Sequence, residues 1–503
     1  MRRIQNKRVR VASQDARIFV FGDSLSDTGN FFAATGALFP PSPPYFNGRF
    51  SNGPLAVETL ARRLGLSVTP ETNFASGGAR TGRENISDTD VLKLGGLLDQ
   101  VDRFARIVGS GGANPNALYF VWIGRNDFPD RPADPIAAVN QAVENVKAAV
   151  TRLADLGAKN IVVVQNPNFG RTPLSLQAGL FDPLTNITLD FNQGLRTALT
   201  PLERNSGLNL ILTNLFPLGE TIAQNPSGFG FSNVIESYLR DLIPVDPTID
   251  PNQFFFWDQV HPTSRGHDIF ANALRQAVIS NITNNIDRIG SRLDDNLVGY
   301  SGDDLLRGRL GQDTLEGNRG NDSLLGGQGA DTLRGQQDND LLLGGIGNDV
   351  LQGGAGRDRL FGQTGQDSLS GGSGVDFLSG GLGDDLLNGG GSCDLFSLRL
   401  GRGTDTIQDF ESENDLLFLS GRLTLDQLNI RQQGANTVIT IASSNQTLAI
   451  LENVRASSIG SSDFLGERSD RTLLDLANRE QGAAILDAIQ AESSGLRSLL
   501  QTQ

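Results

Sequence analysis

Aspartate recurs at a strict step of nine at residues 295, 304, 313, 322, 331, 340, 349, 358, 367, 376, 385 and 394. Two places after each, leucine stands in phase from Leu297 to Leu387, and Phe396 completes the series. Glycine fills a third column from Gly299 to Gly389. This register restricts the fold more than any other feature, because fixed-period self-similarity requires one small unit stacked on the next, as in a solenoid. A flexible Gly/Asp linker would share the composition. It would have no reason to hold leucine in phase over so many periods.

The same stretch carries much of the charge. Residues 291–394 hold 16 Asp and one Glu against seven Arg and no Lys, a net of −10 within a chain total of −15. Acid at that density is either a solvated tail or a cation site. It argues against nucleic acid as a partner, since phosphate binding needs clustered Lys and Arg. Glycines permit left-handed turns, and carbonyl and carboxylate oxygens suit a hard cation. The candidate ligands are Asp304, Asp313, Asp322, Asp331, Asp340, Asp349, Asp358, Asp367, Asp376 and Asp385.

The front half has a different grammar. Short apolar runs at Ile18–Phe21, Leu118–Ile123, Ile161–Val164 and Leu208–Leu212, with a weaker one at Val68–Phe74, alternate with amphipathic stretches such as Pro54–Leu64 and Pro135–Leu156. That alternation predicts an α/β domain, a parallel sheet with helices on both faces. Ligands then bind beyond the carboxyl ends of the strands. A lone Cys393 excludes an internal disulfide. The basic start, Met1 to Arg17, leads into an apolar run too short for an export signal, so no cleaved signal peptide is expected.

Only two histidines, His261 and His267, occur in the chain. A serine nucleophile needs a base within reach, and the base needs a third group to orient it. Asp258 stands three residues before His261, which makes His261 the expected base. His267 is expected to cap or pack the following helix. Phe19-Val20-Phe21-Gly22-Asp23-Ser24 delivers a serine from a strand into a tight turn. Asn73-Phe74-Ala75-Ser76-Gly77-Gly78 and Gly124-Arg125-Asn126-Asp127 each follow an apolar run and offer donors for an oxyanion. The expected oxyanion hole is Ser24 N–H, Gly77 N–H and the Asn126 amide.

These blocks resemble the GDSL or SGNH hydrolase family, whose four letters name the Ser, Gly, Asn and His of four sequence blocks. Phe21 to Asn30 matches the first block with Ser24 as nucleophile. Gly77 best matches the second, Gly124, Asn126 and Asp127 the third, and Asp258 and His261 the last. Tyr45-Phe46-Asn47-Gly48-Arg49-Phe50-Ser51-Asn52-Gly53-Pro54 and Gly170-Arg171-Thr172-Pro173 are similar to its lipase-like and esterase branch. The resemblance implies a three-layer α/β/α fold over residues 17–285 and hydrolysis of carboxyl esters, lipid acyl esters among them, through an acyl-enzyme. No catalytic cofactor is implied. Phe31, Phe32, Phe39, Tyr45, Phe46 and Phe50 are candidates to wall an acyl groove, with ordinary loop packing as the alternative.

Repeats such as Gly344-Gly345-Ile346-Gly347-Asn348-Asp349-Val350-Leu351-Gln352 fit the calcium-binding nonapeptide pattern of RTX proteins. That resemblance implies a parallel β-roll over residues 290–398 with structural Ca²⁺ between layers, and type I export to the extracellular space. A β-rich segment, 399–465, and a helical tail within 466–503, through Leu473, Leu476, Ile485, Ile489 and Leu496, complete the expected order. The tail is a candidate export signal or a packing helix. The expected partners are an ester substrate, a lipid or membrane surface, and the type I secretion machinery. The readings to separate are a secreted ester hydrolase, an acyltransferase, and an extracellular adhesion protein with a vestigial catalytic domain.

Overall fold

A computed structural model describes residues 17–128, 132–206, 208–244, 246–283, 285–421 and 423–466. The basic start and the expected helical tail lie outside the described residues. The described residues divide into two compact units, one up to Ile282 and one from Thr283 onward.

The first unit is built on four strands, β1 (Ile18–Gly22), β2 (Leu118–Trp122), β3 (Asn160–Gln165) and β4 (Asn209–Asn214), all parallel and in sequential order. Its helices are α1 (Asn30–Ala34), α2 (Ala56–Arg63), α3 (Leu97–Val108), α4 (Pro135–Asp155), α5 (Pro173–Gln177), α6 (Phe181–Ser206), α7 (Phe216–Gln224) and α8 (Ser264–Asn281). Short strands β5 (Asn233–Ser237), β6 (Leu239–Arg240), β7 (Ile243–Pro244) and β8 (Phe254–Phe256) lie between α7 and α8. α4 shows why these segments coil. Asp134 accepts the Ala137 N–H at 3.0 Å, Pro135 presets the first turn, and Val139, Val143, Val146, Val150 and Leu153 form one buried stripe.

Alternate strand residues face opposite layers. Tyr119, Val121, Ile161 and Val163 share a core with Phe104 of α3, Val146 of α4 and Phe191 of α6. On the other face the Trp122 ring meets Phe270 of α8 edge-on, 5.9 Å between centroids, and α2 packs on α8. The expected α/β/α layering is therefore present. The weak fifth run, 68–74, forms no regular strand; it meets β1 at one parallel bridge, Val20 to Asn73, where the Val20 N–H donates to the Thr72 carbonyl and the Phe74 N–H to the Val20 carbonyl. Pro70 has no N–H to give a ladder, and Thr72 and Asn73 turn back onto the Thr69 carbonyl.

In the second unit successive repeats alternate between two sheets, so residues 18 apart become neighbours. Leu306, Leu324, Leu342, Leu360, Leu378 and Phe396 align in one sheet, and Leu297, Leu315, Leu333, Leu351, Leu369 and Leu387 in the other. All point into one core, each contributing roughly 1.5–3 kcal/mol of burial. Turns close so tightly that a Cβ on Gly347 (φ 144°) would stand 1.7 Å from the Gly329 carbonyl oxygen. Residues 399–465 extend both sheets through Asp405–Ile407 and Leu416–Leu419. Three strands, Leu428–Gln433, Asn436–Ile441 and Thr447–Leu451, then finish one sheet with antiparallel pairing. Among the described residues no helix is long and apolar enough to cross a membrane.

His267 lies fully buried in α8, and neither ring nitrogen has a hydrogen-bond partner among the described residues. Burial, aided by the His261 charge, pushes it down to about 3. A His held neutral in the fold takes up a proton on unfolding, so stability is full above about pH 6.5 and falls as pH drops toward 3. His267→Leu should therefore gain about 2 kcal/mol over the native chain at pH 5 relative to pH 8. Urea unfolding followed by tryptophan emission measures this, because both tryptophans, Trp122 and Trp257, sit in this unit.

Candidate active site

The nucleophile turn begins where β1 stops. Gly22 has φ 155°, and a Cβ there would lie 2.2 Å from the Trp122 carbonyl oxygen, so only glycine lets β1 approach β2 this closely. Gln100 of α3 clamps the same residue with two 2.8 Å bonds, accepting the Gly22 N–H and donating to its carbonyl. Asp23 Oδ1 accepts the Leu25 N–H at 3.1 Å, which tightens the turn around Ser24. Burial pushes the Asp23 carboxyl up to about 7.

Ser24 Oγ lies 2.8 Å from His261 Nε2. His261 Nδ1 lies 2.8 and 2.7 Å from the two Asp258 oxygens. The Asp258–His261 loop leaves β8 and closes through Trp257 N–H to the His261 carbonyl at 2.7 Å, before Thr263 caps α8. Asp258 Oδ1 also accepts the Val260 and His261 N–H groups at 2.9 Å, and Oδ2 accepts the Tyr45 hydroxyl at 2.7 Å. Burial acts to raise the Asp258 carboxyl, but the His261 charge and these hydrogen bonds outweigh it and hold it below its usual value. The structure thus brings together the three expected groups, with Nε2 free to face the serine once Nδ1–H is held by the carboxylate.

The oxyanion donors need one correction. The Gly77 N–H points to Asp27 Oδ2 at 2.7 Å and is not available. Asp27 also accepts the N–H groups of Gly29, Asn30 and Phe31, so this buried carboxylate ties the second block to the first. The next N–H, of Gly78, has no acceptor among the described residues and borders the same cleft as Ser24. The Ser24 N–H is likewise uncommitted. Asn126 gives one amide proton to the Ala79 carbonyl at 3.0 Å, leaving the other. Asp127 holds Thr81 through N–H and hydroxyl, which fixes the third block against the second.

The cleft has a volume of about 310 Å³. Phe31, Phe39, Phe50, Ile86, Leu174 and Val260 wall it around Ser24, His261, Gly78 and Asn126. Of the aromatic side chains expected there, Tyr45 instead supports Asp258, and Phe46 lies beside Arg49. Phe50 stacks at a tilt on His261, 5.0 Å between centroids. Tyr45, Gln100, Asp27 and Gly78 are contributors that the sequence reading did not assign.

The repeat aspartates form two columns. From Asp295 to Asp376 each Asp N–H donates to Oδ1 of the Asp 18 residues later, at 2.7–2.9 Å. Oδ2 of Asp313, Asp322, Asp331, Asp340, Asp349, Asp358, Asp367, Asp376 and Asp385 is buried with no donor among the described residues. Burial pushes Asp322 up to about 9 and Asp340 to about 8, only partly opposed by the N–H groups of Asp304 and Asp322. An orphaned buried oxygen on each of these aspartates fits a cation. Among the described residues no three His, Cys, Asp or Glu side chains converge, so backbone carbonyls would have to complete each set, a donor mix suited to Ca²⁺. Asp304 departs from the expected ligand set. Its Oδ1 accepts the Ile286 N–H and its Oδ2 the Tyr300 N–H, so neither oxygen is left open.

A serine, histidine and aspartate linked by hydrogen bonds beside the carboxyl ends of parallel strands give the first unit the architecture and the side-chain geometry of α/β serine hydrolases. Residues 18–274 match the GDSL-like lipase/acylhydrolase family model, and the chain belongs to that family. Four matches to the RTX calcium-binding nonapeptide repeat cover 289–324, 316–351, 325–360 and 361–392. The chain is similar to a thermolabile hemolysin of Vibrio parahaemolyticus, 28% identical over 52% of this chain and 63% of the hemolysin. A GDSL esterase/lipase of Arabidopsis thaliana is 28% identical over 53% and 90% of the two chains. A phosphatidylcholine-sterol acyltransferase of Aeromonas hydrophila is 29% identical over 43% and 64%. The chain thus spans less than two thirds of the hemolysin and of the acyltransferase.

Tyr45→Phe keeps the ring and removes one hydrogen bond to a charged carboxylate. It should lower kcat/KM for a soluble ester about tenfold through kcat, with KM unchanged, as steady-state kinetics would show. Excess chelator added to the full chain should abolish most of the β signal of the roll in far-UV circular dichroism. Restoring calcium should recover it with a midpoint on the order of 10⁻⁴–10⁻³ M.

Proposed function

We propose that this protein is a carboxylic ester hydrolase that works through an acyl-Ser24 intermediate. The observation that carries the reading is the 2.8 Å contact between Ser24 Oγ and His261 Nε2, with Asp258 behind the imidazole. Ser24 Oγ attacks the ester carbonyl carbon as its proton passes to His261 Nε2. The N–H groups of Ser24 and Gly78 and the Asn126 amide face the developing oxyanion. His261 then protonates the leaving alcohol, and acyl-Ser24 remains. Water, deprotonated by His261, releases the acid and returns the serine. Asp258 stays ionised and stabilises the imidazolium. No step calls on a cofactor.

The apolar walls of the cleft favour an ester with a hydrocarbon acyl chain. The hydrogen-bonded relay supports this over an adhesion protein with a vestigial catalytic domain. Acyl transfer is a second reading, favoured by the likeness to the Aeromonas acyltransferase, since an alcohol could replace water in resolving acyl-Ser24. Structural calcium in the roll, and export to the extracellular space by the type I route, are supported by the RTX repeats. The open carboxylate of each turn then meets its cation where calcium is millimolar.

Ser24→Ala should lower p-nitrophenyl ester hydrolysis by about 10⁵-fold with unchanged circular dichroism; retained turnover would overturn the assignment. In the native chain, products formed with and without an added long-chain alcohol separate hydrolysis from transfer.

A further inference from the structure

From Thr28 to Gly48 the chain runs 21 residues without a charged side chain, although one residue in five of the whole is charged. This stretch contains α1 and the loop after it, and much of it is exposed. Leu38 is 78% exposed and Phe39 47%, with Phe46 at 40%. Such side chains face water at a cost, and a contiguous apolar patch on a folded surface marks something that covers it.

The patch is continuous with the mouth of the cleft. Phe39, Ile86 and Leu174 line the cavity that holds Ser24 and are also exposed, Ile86 at 53% and Leu174 at 44%. They come from three separate segments, the α1 loop, the 85–88 turn and α5, so apolar surface borders the opening on several sides. Binding one ester molecule explains the inner faces of these residues. It does not explain Leu38, which stands outside the cavity lining.

We propose that this apolar rim, uncharged along residues 28–48, docks on a zwitterionic phospholipid surface, with Leu38 and Phe39 as the inserting tip. The inference rests on the hydrolase reading above and specifies where that site meets its substrate. The chemistry selects the partner. A protein partner would ordinarily meet polar or charged groups around such a core, and this stretch offers no charge. An anionic bilayer would be drawn by Lys and Arg, but residues 28–48 contain none and the chain carries −15. A neutral interface accepts an apolar tip with no charge to desolvate. Docked there, the cleft opens directly onto the acyl chains.

The test uses the full chain in millimolar calcium with phosphatidylcholine vesicles. Leu38→Trp places an indole at the tip against Trp122 and Trp257, both buried. Its emission should shift to the blue on adding vesicles and be quenched by bromine on the lipid chains. Leu38→Glu should lower turnover of a long-chain p-nitrophenyl ester dissolved in those vesicles about tenfold. Hydrolysis of p-nitrophenyl acetate in solution should stay unchanged. Emission unmoved by vesicles overturns the proposal, as does equal loss on both esters or a response confined to anionic lipid. A chain that cleaves neither ester while the indole still inserts would refute hydrolysis and leave the docking surface standing.

Discussion

Buried aspartate carboxylates that accept backbone N–H groups organise both units. In the catalytic unit Asp27 gathers the N–H groups of Gly29, Asn30, Phe31 and Gly77, and Asp258 gathers those of Val260 and His261 with the Tyr45 hydroxyl. Each holds an irregular loop in one shape, which a loop without regular pairing cannot do alone. The Ser24 turn and the His261 loop leave different strands, and Ser24, His261 and Asp258 meet because both loops are held this way.

The roll uses the same contact and leaves it half made. Oδ1 of each aspartate accepts an N–H from the turn 18 residues earlier, while Oδ2 stays open along most of both columns. A carboxylate closed on both sides, such as Asp27, needs nothing further. One closed on a single side is costly in a dry interior unless a cation or a proton joins it. The loops around Ser24 and His261 are therefore self-sufficient, whereas the roll leaves buried oxygens open for a cation. At the start of the stack Asp295 accepts the Ser291 N–H and Asp304 those of Ile286 and Tyr300, so the first layers are closed by protein contacts.

Much of this could be read along the chain. The two periods, nine in one half and strand–helix alternation in the other, separate the units. The pairing of Asp258 with His261 is local and needs no fold to suggest it. Tyr45 was not assigned its role, because 213 residues separate it from Asp258 and nothing nearby marks its hydroxyl as a donor. Gln100 is hidden in the same way, 78 residues from Gly22. The sequence points to Gly77 of the doubled Gly77-Gly78, and only coordinates show that Asp27 takes its N–H. The run at 68–74 has the composition of a strand but pairs with β1 only around Asn73, because Pro70 lacks an N–H and Thr72 and Asn73 turn back onto Thr69.

By itself the sequence determined the periodic and the local: a stacked roll, a parallel α/β sheet, a serine in a strand-end turn, and an Asp–His pair three residues apart. Each depends on spacing that is short or repeats, and spacing is what a linear chain records. Tertiary structure decided which N–H stays open beside Ser24, which hydroxyl steadies Asp258, which aspartate oxygens stay open, and that an uncharged loop borders the cleft. Those are long-range contacts, fixed by where packed elements bring distant residues, and no local pattern encodes that distance.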